Sequence, residues 1–181
     1  MKYSLIFSLF MASNISVLAL TTEAKLNIAI SNIASAIEDI SDSKNSAIKI
    51  LVKKELSKEL VEDAMEMEAT IMGLRSVGML PISEMYELQT NKEQKFYKTY
   101  QYLDVKDSIS LVNYSAKLST IYPISIHLVE GLDGQLWLTT RDIQSIISQH
   151  QSSPKYIQEI LYRAKAIAEK IMKSGATAIL D

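Results

Sequence analysis

Few residues in this chain are equipped for chemistry. Among 181 residues there are two histidines and no cysteine. Without Cys there is no disulfide, no thiolate metal site and no thiol nucleophile. His127 lies in an alternating apolar and polar run. An imidazole there could ligate a metal or haem iron, or titrate near neutral pH, although a hydrogen-bonded surface residue is the plainer expectation. His150 falls near the end of a short helical segment, where a cation suits the helix dipole. Neither belongs to a ligand-spaced motif such as H-E-x-x-H. Met65, Met67, Met72, Met79 and Met85 invite a Cu(I) thioether site. Met65 and Met67, however, are about 200° apart on a helix, and Met is a common core filler. Glu62, Asp63, Glu66 and Glu68 form an acidic run expected on the solvent side of their helix. No Gly-rich phosphate loop and no nucleophile elbow occurs. An enzyme is therefore disfavoured, although paired carboxylates would leave no motif.

Composition narrows the class further. Hydrophobic residues make up 48% and the formal net charge is -2. The first excludes a disordered chain. The second leaves no broad basic field, so nucleic acid is not expected as a partner.

Residues 1–19 read as a secretory signal peptide: Lys2, a mostly apolar run over 3–11, then Val17-Leu18-Ala19 with cleavage after Ala19. An uncleaved N-terminal membrane anchor is the alternative. Ser13, Asn14 and Ser16 interrupt the apolar run, which makes it a poor membrane span, and no stable span is expected once it is cleaved. In a bacterium this address is periplasmic or secreted.

The elements that must position the candidate residues follow from periodicity. Leu26, Ile30, Ile33, Ile37 and Ile40 recur at spacings of 4, 3, 4 and 3, an a/d stripe on a helix over 22–40. It packs on its own domain or dimerises. Residues 41–46 are a polar linker, so 20–46 form an N-terminal amphipathic helix and linker and 47–181 an α+β domain. Within that domain, 47–53 read as a strand. A helix then opens at the cap Ser57 and stops at Gly73, with Leu60, Ala64, Met67 and Ile71 on its stripe beside Val61, Met65 and Met72. Residues 76–81 are a short strand, 83–89 a helical turn and 95–103 an aromatic-rich strand. Asp104 caps a helix whose buried stripe is Val105, Ile109, Val112 and Ala116. Residues 123–130 and 135–140 form a hairpin around Asp133-Gly134, a turn that needs positive φ. Asp142 opens a short helix. Ser153-Pro154 opens the last one, with Ser153 as the cap, and Gly175 ends it. Adjacent strand pairs mixed with helices predict a small antiparallel sheet with helices on one face.

Strand phase then defines a surface. Ile124, Ile126, Leu128, Leu136 and Leu138 belong under the helices. The opposite face carries His127, Thr139 and Trp137, the only Trp. The neighbouring strand adds either Tyr97, Thr99 and Gln101 or Phe96, Tyr100 and Tyr102. Such an aromatic and polar face suits a ligand or a second subunit, against the alternative of ordinary cross-strand packing.

Two stretches carry a resemblance: residues 61–89, VEDAMEMEATIMGLRSVGMLPISEMYELQ, and 122–142, YPISIHLVEGLDGQLWLTTRD, followed by the terminal KIMKSGATAILD. They resemble the domain of unknown function 302 family, in its secreted bacterial branch, over about residues 48–181. The resemblance implies a TATA-binding-protein-like β-α-β-β-α-β-β-α domain, often dimeric, with no established activity. Relatives place Cys in F-C-D and L-P-C-R. Tyr102-Leu103-Asp104 and Tyr122-Pro123-Ile124-Ser125 stand there instead, so no thiol-based role carries over.

These readings converge on a periplasmic or secreted, non-catalytic binding or accessory protein, expected as a homodimer. Its partner or small ligand would be bound through His127, Trp137, Tyr97, Gln101 and Thr139. A haem- or metal-binding protein with His127 as ligand is the alternative. No cofactor, substrate or pathway is specified.

Overall fold

The computed structural model describes residues 47–179. The signal peptide, the 22–40 helix and the 41–46 linker lie outside the described residues. In chain order the elements are β1 (Ala47–Leu51), α1 (Lys58–Ile71), β2 (Arg75–Leu80), α2 (Ile82–Thr90) and β3 (Tyr97–Leu103). Then come α3 (Val105–Tyr114), a 3-10 turn (Ala116–Thr120), β4 (Ile124–Glu130), β5 (Leu136–Arg141), α4 (Gln144–Gln149) and α5 (Lys155–Thr177). The strands form one antiparallel sheet in the order β1-β5-β4-β3-β2. The α+β class and the antiparallel sheet expected from the sequence are both present.

Side-chain alternation decides which face is buried. Ile124, Ile126, Leu128 and Leu138 point to one side with Tyr100 and Tyr102, and all six are buried. α1 and α5 close over this side. α5 supplies Ile157, Ile160, Leu161, Ile167 and Ile171, and α1 supplies Val61, Met65 and Ala69. The two helices approach closely at Gly175: a Cβ there would sit 2.5 Å from Met65 Cγ and 3.0 Å from Leu138 Cδ1. Gly175 therefore does not end the last helix. α5 continues to Thr177 and stops at Ala178, which adopts φ 53°. Its other end also departs from expectation. Pro154 is the cap residue and no side chain caps the helix. The Ser153 carbonyl accepts from Gln158 Nε2 (2.8 Å), while its Oγ accepts from the Tyr114 hydroxyl (3.0 Å) instead of capping the helix.

Ser57 and Asp104 cap as expected, accepting from the Leu60 N–H (3.3 Å) and the Asp107 N–H (3.0 Å). The helices they open are nevertheless rotated from the predicted phase. In α1 the inward residues are Val61, Met65, Glu68 and Ala69, whereas Leu60, Met67 and Ile71 are each more than half exposed. Glu68 is fully buried, not solvated, and Lys170 Nζ on α5 reaches its Oε1 at 3.1 Å. In α3 the inward residues are Asp107 and Leu111, while Val105, Ile109 and Val112 are exposed. The reason is again a charge pair, between Asp107 and Arg163 of α5. In both helices a carboxylate that finds a cation on α5 takes the inward position that an apolar residue would otherwise fill.

The β4–β5 turn follows its sequence. Gly134 sits at φ 76°, the Gly131 N–H donates to Gln135 O (2.8 Å), and Asp133 Oδ1 accepts from the Gln135 N–H (3.1 Å). Among the described residues, no helix is long and apolar enough to cross a membrane.

Candidate functional site

The face of the sheet turned away from α1 and α5 is set by register. Gln101 lies opposite Ser125, Thr99 opposite His127, and Tyr97 opposite Val129. Continuing across β5 and β1, His127 meets Thr139 and then Lys49, and Val129 meets Trp137 and then Leu51. The five residues singled out from the sequence, Tyr97, Gln101, His127, Trp137 and Thr139, therefore share one face, and each is half-buried. Of the two possible sets on β3, the one containing Tyr97, Thr99 and Gln101 is on this face. Tyr100 and Tyr102 are in the core.

His127 is held from two directions. Thr99 Oγ1 lies 2.9 Å from its Nδ1. Tyr97 meets its ring edge-on, with centroids 5.9 Å apart and planes at 67°. Partial burial pushes the imidazole below its ordinary pKa, so the neutral ring is favoured at neutral pH. Trp137 is capped by the Lys49 ammonium, 3.6 Å from the ring centroid. It also borders the hairpin turn, because a Cβ on Gly131 would approach Trp137 Nε1 at 3.3 Å. Gln101 lies across the edge strand, where its Oε1 occupies the space beside Gly78.

Lys49 is a charged member of this face that the sequence did not single out. It falls in the β1 run AIKIL, where alternation places it opposite the aliphatic side chains Ile48 and Ile50. Pairing of β1 with β5 then sets it beside Trp137.

The other candidate donors are dispersed. His150 ends α4, and its Nδ1 lies 2.9 Å from Ile146 O, the helix-end role expected of it. Met65 is buried against α5 whereas Met67, Met79 and Met85 are exposed, so these thioethers occupy different environments. Among the described residues, no group of three or more His, Asp or Glu is arranged to hold a metal ion.

A cavity of about 110 Å³ opens at the end of the sheet, between β4, β5 and α5. Its walls are largely apolar, with Arg141 and Lys165 among the lining residues and no carboxylate. A pair of acids for general acid–base work is not assembled there.

No family model matches the chain, and no curated protein matches it in sequence. The fold is similar to that in the crystal structure of an uncharacterized conserved DUF302 protein from Bacillus stearothermophilus. The TM-score is 0.59, covering 71% of this chain and 97% of that one, at 7% sequence identity. The domain thus has the α+β fold of a DUF302 protein, as the sequence resemblance implies. An identity this low carries the fold and nothing about activity.

Proposed function

We propose that the protein is an exported, non-catalytic accessory protein of the secreted branch of the domain of unknown function 302 family. In this reading it works by presenting its sheet face to a partner, in the first instance a second copy of itself. The observation that carries the reading is the convergence of Tyr97, Gln101, His127, Trp137 and Thr139 on one half-buried face of a sheet whose other face is filled by helices. A face holding aromatic rings, amide and hydroxyl groups but few charges has the composition of an interface core. Residues 1–19 support export, with a periplasmic destination in a bacterium. The exposed apolar residues of α1 (Leu60, Met67, Ile71) and α3 (Val105, Ile109, Val112) supply further contact surface.

Sedimentation velocity over a concentration series tests this. The protein should reach a dimer, and Trp137→Ala should weaken the dimer while leaving the far-ultraviolet circular dichroism unchanged. A monomer at every concentration, with no ligand able to raise the melting temperature, rejects the reading.

A second reading, His127 as an axial haem ligand, draws support from its neutral, half-buried imidazole, whose Nδ1 is already engaged by Thr99. Added haem should then give a Soret band that His127→Ala removes. An unchanged band in that variant dismisses it.

A further inference from the structure

We propose that the cavity at the end of the β4–β5 ladder is a binding site for a small monocarboxylate with a short apolar body, its carboxylate held by Arg141 and its body resting against Ala164 and Ala168. The site begins where the β4–β5 ladder stops. The last paired residues of β4 and β5 are Ile126 and Thr140. At Ser125 the carbonyl accepts instead from the Thr140 hydroxyl (2.8 Å), and beyond that point the two strands part. The gap is bordered by side chains from both faces of the sheet, including Ser125 and His127 from one and Ile48, Ile124 and Thr140 from the other.

Three observations define the ligand. The first is size. The cavity measures about 110 Å³ and is open to solvent on one side. An enclosed cavity of about 150 Å³ accommodates benzene, so a body of roughly four to seven carbons fits here. The second is shape and polarity. Along α5 the inward residues are mostly large, but Ala164 and Ala168, one turn apart, line the cavity. These two small side chains leave the volume unfilled, and Ile48, Ile124 and Ile143 complete an apolar wall. The third is charge. Two cations border the cavity and no carboxylate does. Lys165 is already engaged: its Nζ donates to Gln144 Oε1 (2.7 Å) and lies 3.9 Å from both Asp142 and Glu169. Arg141 is exposed, and among the described residues it faces no ion-pair partner. Its planar guanidinium matches a carboxylate in two-pronged geometry. An apolar slot with an arginine among its lining residues and no carboxylate suits an amphipathic anion.

Titration of the ¹⁵N-labelled protein with pentanoate and benzoate, with pentanamide, benzamide and pentylamine as comparisons, tests this directly. Saturable shifts should centre on Ile48, Ile124, Thr140, Ala164 and Ala168, and the carboxylates should bind more tightly than the amides, with the amine weakest. Arg141→Gln should weaken benzoate about tenfold and leave benzamide unchanged. Ala168→Leu should abolish binding of both by filling the slot. Arg141 is exposed, so Arg141→Gln keeps the fold and decides the matter even if Ala168→Leu does not fold. Equal benzoate affinity in the protein and in Arg141→Gln overturns the proposal. So do shifts centred elsewhere, or the absence of saturable shifts.

Discussion

Arg163 on α5 grips Asp107 on α3 through two parallel hydrogen bonds, Nε to Oδ2 at 2.8 Å and Nη2 to Oδ1 at 2.7 Å. Asp107 is 7% exposed, so its charge depends on this partner. The same residue's N–H is held by Asp104 at the start of the helix. One ion pair thus fixes both the rotation of α3 and its attachment to α5. Replacing Arg163 by Met should leave a carboxylate stranded near the core. Part of the guanidinium is solvated, so we expect a loss of about 2 kcal/mol, below the cost of breaking a fully buried pair. Urea denaturation measures it, and the double variant Arg163→Met with Asp107→Leu should recover part of the loss.

Gly175 yields a second expectation. Its backbone lies where a Cβ would overlap Met65 and crowd Leu138. Helix propensity alone favours Ala over Gly. Here packing outweighs propensity, and Gly175→Ala should destabilise the domain by about 1–3 kcal/mol. A stabilised variant in thermal unfolding would show that α1 and α5 are less tightly apposed.

The acid side of the stability profile should reflect His127. Burial holds its pKa below the ordinary 6.5. Above that value both folded and unfolded states carry a neutral ring, and the residue contributes no pH dependence. As pH falls through it, the unfolded chain takes up the proton first, so stability decreases until the folded value is also passed. His127→Gln should flatten the stability curve between about pH 7 and pH 5. An unchanged slope would mean the ring is as solvated as in a peptide.

The alkaline side should reflect three tyrosines. Burial, together with Glu62 for Tyr100, Glu66 and Glu62 for Tyr102, and Asp107 and Asp104 for Tyr122, pushes each hydroxyl far above the ordinary 10.0. The unfolded chain loses these protons near the ordinary value while the folded chain keeps them, so stability falls as pH rises past it. Spectrophotometric titration of the nine tyrosines should show these three ionising only as the protein unfolds.

Much of this architecture is legible in the sequence, and the exceptions share one cause. The hairpin was readable because Asp133-Gly134 imposes a local geometry. The open face was readable because Ile124, Ile126 and Leu128 leave His127 one side to occupy. Local caps at Ser57 and Asp104 were readable for the same reason. Helix rotation was not. Leu60, Met67 and Ile71 in α1, and Val105, Ile109 and Val112 in α3, have the spacing of buried stripes and are exposed. What turns the helices is the pairing of Glu68 with Lys170 and of Asp107 with Arg163, partners 102 and 56 positions apart in sequence. No local pattern announces such a pair. Gly175 misleads for a related reason: a glycine near a helix end resembles a stop signal, while its purpose here is contact with another helix. The sheet-end cavity was equally hidden, because it depends on where the β4–β5 ladder ends.

In the proposed dimer the sheet face of His127 and Trp137 is covered by a partner copy. Trp137 is the only tryptophan, so acrylamide quenching of the intrinsic fluorescence reports on this face alone. Measured across a dilution series, the quenching constant should fall as concentration rises, in step with the mass-average molecular weight. A constant quenching value while the molecular weight doubles would place the dimer contact elsewhere and contradict the account.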